Sequence, residues 1–157
     1  MNVVGIDAGF SRGDGFWDRR ICSTTESFWS HAFIRFRLAD SSVRIFEASW
    51  PARGFTEVDP LKYDLAELKD RGRKSPIEAV AVVPICESAD RADAMQSALE
   101  LCRQWVGARP YPLWQLVAIW AAKRYGVPVP RSETRLICSE ALAVIAFHVG
   151  VDLRDIW

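Results

Sequence analysis

The chain has 157 residues, half of them apolar and a quarter charged, which is the size and composition of one globular domain, residues 1–157, with a core of its own. Twenty Lys and Arg balance twenty Asp and Glu, which argues against a nucleic-acid backbone or an anionic membrane as partner. Cys22, Cys86, Cys102 and Cys138 stand far apart with no Cys-x-x-Cys pair and only two histidines in the chain, so neither a disulfide framework nor a zinc site is suggested, and no metal or other cofactor is expected.

The first residues, MNVVGIDAGF, lack a basic n-region, and no later run approaches the roughly 18 uninterrupted apolar residues of a membrane span. The expectation is a cytoplasmic protein without a signal peptide or a transmembrane segment. NVVGIDAGF reads as a short first strand, and GDGFWDRRICSTTESFWS as a turn and a short helical piece, with Gly13 and Gly15 breaking the backbone regularity. In HAFIRFRL, Ala32, Ile34, Phe36 and Leu38 alternate with His31, Phe33, Arg35 and Arg37, the period of a half-buried strand. VRIFEASW alternates again after the turn ADSS, so Phe33 to Leu38 and Val43 to Ala48 form an antiparallel hairpin.

Between Pro51 and Pro76 the pattern is thin: a short strand near Phe55 to Val58, then ELKDRGRKSP as a charged, solvated loop. IEAVAVVPI is a continuous apolar run of strand length, expected to sit centrally and to be buried on both faces. ESADRADAMQSALELCRQWVG is a helix with a Ser88 or Asp90 cap and an apolar face of Ala94, Met95, Ala98, Leu101, Cys102 and Trp105, ending at Gly107. YPLWQLVAIWAAKRYG is a second helix, with Pro112 in its first turn and Gly126 past its end, and RSETRLICSEALAVIAFHVG is a third. Strands come first and helices later, an α+β layout.

A helix starting near Ser132 or Thr134 sets Cys138 in its first or second turn, where unpaired amides and the positive dipole end stabilise a thiolate. Cys138, Leu142, Ile145 and Val149 also share one stripe, so the same cysteine fits the first position of a buried face. A nucleophilic thiol needs a base within reach. His148 is ten residues on, about 15 Å along the helix axis, and is excluded by distance; it reads as a packed or boundary histidine. His31 remains. Glu47 interrupts an otherwise apolar strand, and either solvates a sheet edge or faces the histidine. A three-residue loop, Leu38 to Asp40, pairs Arg37 with Ser41 and His31 directly with Glu47, with Cβ atoms about 5 Å apart.

In the order SHAFIRF, RIFEAS, GARPYPLW and RLICSEAL, the chain resembles the circularly permuted papain-like cysteine amidases, which are permuted relatives of the NlpC-type cell-wall peptidases and of lecithin retinol acyltransferase. GDGFWDRR is similar to that family's Gly-Asp start, and GARPYP to its segment ending in Tyr-Asp, with Pro112 in place of the Asp. The resemblance implies a permuted papain-like fold: an antiparallel sheet of about five strands packed on a helix that carries the cysteine at its N-terminal end. It implies a Cys-His-Glu triad in which Cys138 attacks a carbonyl, His31 carries the proton and Glu47 holds the ring. The backbone N–H groups of Cys138 and its neighbours would meet the oxyanion, and Tyr111 is a further donor.

The expected activity is a cysteine-dependent hydrolase of amide bonds, peptide or N-acyl, acting through an acyl-enzyme thioester. Its substrate would be a small peptide, a peptidoglycan fragment or an acyl-amide. Trp29 and Phe33, with Trp17 and Trp50, are candidates to line an apolar substrate groove. Two alternatives stand beside it: an acyltransferase that uses the same thioester, and a non-catalytic binding protein on the same fold with Cys138 simply buried.

Overall fold

Alternation in the N-terminal third builds a sheet with two unlike faces. The computed structural model describes residues 2–49, 54–72, 74–109 and 138–152. Its strands are β1 (Val3–Gly13), β2 (His31–Leu38), β3 (Val43–Ser49), β4 (Gly54–Val58) and β5 (Ile77–Cys86). They form one antiparallel sheet in the order β4-β3-β2-β1-β5. The helices among the described residues are α1 (Phe16–Thr25), α2 (Leu65–Asp70), α3 (Ala92–Trp105) and α4 (Cys138–His148), with 3-10 turns at Pro60–Tyr63 and Ala89–Arg91. The α+β class and the five-stranded antiparallel sheet are as expected. The second expected helix, YPLWQLVAIWAAKRYG, and the start of the third near Ser132 lie outside the described residues.

One face of the sheet is the main core. Ile6, Ala8, Ile34, Phe36, Phe46 and Phe55 are buried there against Met95, Ala98, Leu99 and Cys102 of α3 and Ala141, Leu142, Ile145 and the following Val149 from the α4 segment. Burying side chains of this size stabilises by about 1.5–3 kcal/mol each, which is what holds α3 and α4 on the sheet. The α4 stripe falls as its spacing requires. On α3, Leu99 is fully buried and Leu101 only partly so, a shift of the apolar face by part of a turn. The helix proper starts at Ala92 after a 3-10 turn, and Ser88, which precedes that turn, makes no side-chain cap bond.

The opposite face carries the polar side chains of the alternating strands: Asp7 and Ser11 from β1, His31, Arg35 and Arg37 from β2, and Glu47 from β3. Asp7 is buried and neutralised by Arg35 at 2.8 Å and Arg37 at 3.2 Å. Phe33 lies here as well. Its ring occupies the space above Gly9, where an added Cβ would stand 2.0 Å from a ring carbon, so this close approach requires glycine.

Three expectations change. β1 is eleven residues long, well beyond the short strand foreseen. Among the described residues IEAVAVVPI is an edge strand, with β1 as its ladder partner and Val82 and Val83 36% and 40% exposed. A continuous apolar run fits a central strand and a half-covered edge equally well, and Pro84, which has no N–H to donate, belongs at an edge. Finally, the thin stretch after Val58 is folded, and the first four residues of the segment foreseen as a charged loop, Glu67 to Asp70, belong to α2. Asp59 accepts a bond from Leu61 N at 2.9 Å and is followed by Pro60 at the first position of the 3-10 turn. Asp64 then caps α2 through Glu67 N at 2.9 Å. These two caps lay residues 60–70 along the polar face of the sheet.

Candidate active site

His31 begins β2, opposite Ser11 of β1. The preceding Ser30 is anchored twice, by its N–H to Ser11 O at 3.1 Å and by its hydroxyl to Asp18 of α1 at 2.5 Å. The strand therefore enters the site from a fixed position. Glu47 pairs with Phe33, two residues on from His31, so the two side chains share a face and meet diagonally. The hairpin does have a three-residue loop, but it is Ala39 to Ser41, closed by Leu38 N to Ser42 O at 2.9 Å, with Ser41 in the left-handed region at φ 66°. Arg37 consequently pairs with Val43 and not with Ser41. The shared face survives this shift because the register moves by two residues and not by one.

His31 Nε2 stands 3.5 Å from Glu47 Oε2. Cys138 faces the same ring, and each group shifts the other's pKa. The Cys138 sulfur is also met by the backbone N–H groups of Ala32 and Ser139. Sulfur, imidazole and carboxylate thus form a continuous line from α4 through β2 to β3.

Burial opposes every charge on that line, and the neighbours overcome it. It would push the His31 pKa down, yet the Cys138 thiolate and the Glu47 carboxylate raise it from 6.5 to about 10. Burial would raise the Cys138 pKa, but the imidazolium and the two backbone donors bring it below its ordinary value. Glu47, with a side chain only 1% exposed, is held well below the usual carboxylate range against its burial by His31 and then Lys62. Both shifts, His31 upward and Cys138 downward, favour the thiolate–imidazolium form of the pair.

Two residues that the sequence did not single out complete the site. Lys62 Nζ donates to both Glu47 oxygens, at 2.7 and 2.6 Å. The Tyr63 hydroxyl donates to Glu47 Oε2. Burial, and after it the Glu47 charge, push the Tyr63 pKa far up, so the phenol stays a donor. Tyr63 is placed by stacking on Phe33, ring centroids 3.9 Å apart at 20°, a contact of about 0.5–1.5 kcal/mol. The findable signals were the two acidic caps, Asp59 before Pro60 and Asp64 three residues before Glu67, which mark an ordered turn and helix over this stretch.

No protein-family model matches this chain, and no curated protein does.

Of the residues foreseen as a substrate groove, Phe33 is buried at 1% exposure beneath Tyr63. Trp29 is half-buried between Phe10 and Phe28, and Trp17 is exposed on α1. Tyr111 and Trp50 lie outside the described residues. His148 is exposed and bonds Ser97 Oγ at 3.1 Å, away from the site. Among the described residues, no group of three or more His, Cys, Asp or Glu side chains is arranged to hold a metal ion, and no helix is long and apolar enough to cross a membrane.

Proposed function

We propose that the chain is a cysteine-dependent hydrolase of amide bonds, peptide or N-acyl, working through Cys138, His31 and Glu47 on a permuted papain-like frame. The observation that carries this reading is the imidazole of His31 set between a thiol of lowered pKa and a buried carboxylate. The frame is supported by the order of the parts: the histidine and glutamate strands precede the cysteine helix and belong to one antiparallel sheet, and that helix packs on the sheet's apolar face.

In the proposed reaction the Cys138 thiolate attacks the substrate carbonyl carbon. The C=O electrons move to oxygen, and the backbone N–H of Cys138 is proposed to meet that oxyanion. Collapse of the intermediate breaks the C–N bond while His31 passes its proton to the departing amine, leaving a thioester on Cys138 and a neutral ring. Water then attacks the thioester with His31 as base. The acid is released, and the thiolate–imidazolium pair returns. Glu47 orients the ring and stabilises its charged form, as the carboxylate does in a serine triad. The substrates proposed are small peptides, peptidoglycan fragments or acyl-amides. An amine or alcohol in place of the water would make the same thioester an acyltransferase intermediate.

Intact-mass analysis after exposure to a panel of acyl and peptidyl probes tests this. The expected result is an added acyl mass on the wild type, mapping to Cys138 and missing from Cys138→Ala. Adducts mapping to Cys22, Cys86 or Cys102, or none with any probe, would remove the proposal.

A further inference from the structure

Glu47 lies between two cations with different duties. His31 must gain and lose its charge in each turnover of the proposed reaction, while the Lys62 ammonium takes no part in those proton transfers. Resting on the hydrolase reading above, we propose that Lys62 is a positioning residue acting through Glu47: it stays as the carboxylate's counter-ion when His31 gives up its proton, so the ring can cycle between imidazolium and imidazole.

The physical reason is the burial of the carboxylate. With its side chain 1% exposed, Glu47 is in a place where an uncompensated charge is strongly disfavoured. Were His31 its sole cationic partner, every loss of the ring proton would leave the carboxylate with the Tyr63 hydroxyl alone. The ring would then hold its proton more tightly, and the departing amine would receive it less readily. Lys62 removes that penalty by remaining in place, bonded to both oxygens at 2.7 and 2.6 Å.

Among the described residues, the groups around the ring are few. Cys138 faces it from α4 and Glu47 from β3. Tyr63 and Lys62 act through Glu47 from the 3-10 turn. Ser11 on β1 is uncharged and lies opposite in the ladder. Lys62 is suited to this duty because it reaches in from the surface. Its side chain is 41% exposed, so the ammonium keeps part of its hydration while neutralising a carboxylate that has none. The turn fixes its origin through Lys62 N to Asp59 O at 3.0 Å.

The test reads the ring proton directly. The chain has two histidines, so an NMR titration of His31 has His148 as an internal control. Cys138→Ala is the background, since loss of the thiolate brings the His31 titration down from about 10 into an accessible range. In that background Lys62→Met and Lys62→Gln are each expected to raise the His31 pKa by about one unit, tenfold in proton affinity. Lys62→Arg should restore the parent value, and His148 should titrate alike in all four proteins. Gln keeps a hydrogen bond while losing the charge, which separates charge from mere contact. An unchanged or lowered His31 pKa in both neutral variants would overturn the proposal. A His31 pKa that does not fall on Cys138→Ala would instead overturn the hydrolase reading beneath it.

Discussion

At Glu47 the number of donors decides what a substitution does. From the sequence, Glu47→Gln looks mild, because an amide oxygen still accepts one ring proton and keeps the tautomer. The site presents this side chain with Lys62 and Tyr63 as donors, and with the His31 ring as a charged neighbour at 3.5 Å. A glutamine offers one acceptor and turns its own NH₂ toward one of those donors. Glu47→Gln is therefore expected to lower the unfolding free energy at pH 7 by about 1–3 kcal/mol, the cost of unmatched buried polar groups, measured by urea denaturation. The pH dependence has a definite sign. Glu47 has its folded pKa below the ordinary 4.5, so its contribution is fully present above about 4.5 and lost as pH falls through the depressed value. The difference between wild type and Glu47→Gln should hence narrow in acid. A difference that is constant from pH 7 to pH 3 would mean that the charge on Glu47 does not stabilise the fold.

At the scale of elements, the 3-10 turn Pro60–Tyr63 is what brings Lys62 and Tyr63 over Glu47. Its Asp59 cap satisfies Leu61 N, so Asp59→Ala is expected to cost about 1 kcal/mol. Loosening the turn should also slow turnover without touching a reacting group. Paired denaturation and activity measurements check this, and full activity at reduced stability would show that the turn does not position the site. The same turn marks where the sequence stopped being legible. Period-two alternation gave β2 and β3 to within a residue or two, and it put His31 and Glu47 on one face on the condition of an odd loop or a bulge, because the pleat allows only two choices. It did not give their register, which depends on the Ala39–Ser41 loop geometry and on a serine, Ser41, adopting the left-handed region. Lys62 and Tyr63 stand in a stretch without apolar period, where the signal is two caps and a proline. β5 was misplaced for a related reason: an apolar run reports burial propensity and says nothing of which strand lies beside it.

For the molecule as a whole, the four cysteines show how one fold gives the same side chain different chemistry. Cys102 is at 0% exposure in the core beneath α3, and burial pushes its pKa up. Cys86, at the end of the edge strand, is 5% exposed. Both should resist alkylation until the protein unfolds. Cys22 on α1 is half-buried, and its S–H donates to Phe28 O at 3.4 Å. Cys138 is also half-buried, and what sets it apart from Cys22 is the neighbouring His31 and backbone, which lower its pKa. The stripe on α4 does not conflict with a thiol turned to the histidine, since Leu142, Ile145 and Val149 are buried while the cysteine at the head of the stripe interacts with His31. Brief iodoacetamide treatment at pH 7 followed by peptide mapping is expected to label Cys138 first, Cys22 slowly, and Cys86 and Cys102 only in denaturant. In His31→Ala the Cys138 rate at pH 7 should fall about tenfold or more, and it should recover as pH approaches the ordinary thiol value of 9.0, where a thiolate forms without help. The sign follows from the ion pair: with the imidazolium gone, the thiol keeps its proton to higher pH, and reactivity moves with the thiolate fraction. Equal labelling of Cys22 and Cys138 in the wild type, or a His31→Ala profile that matches the wild type at every pH, would mean that the histidine does not activate the thiol.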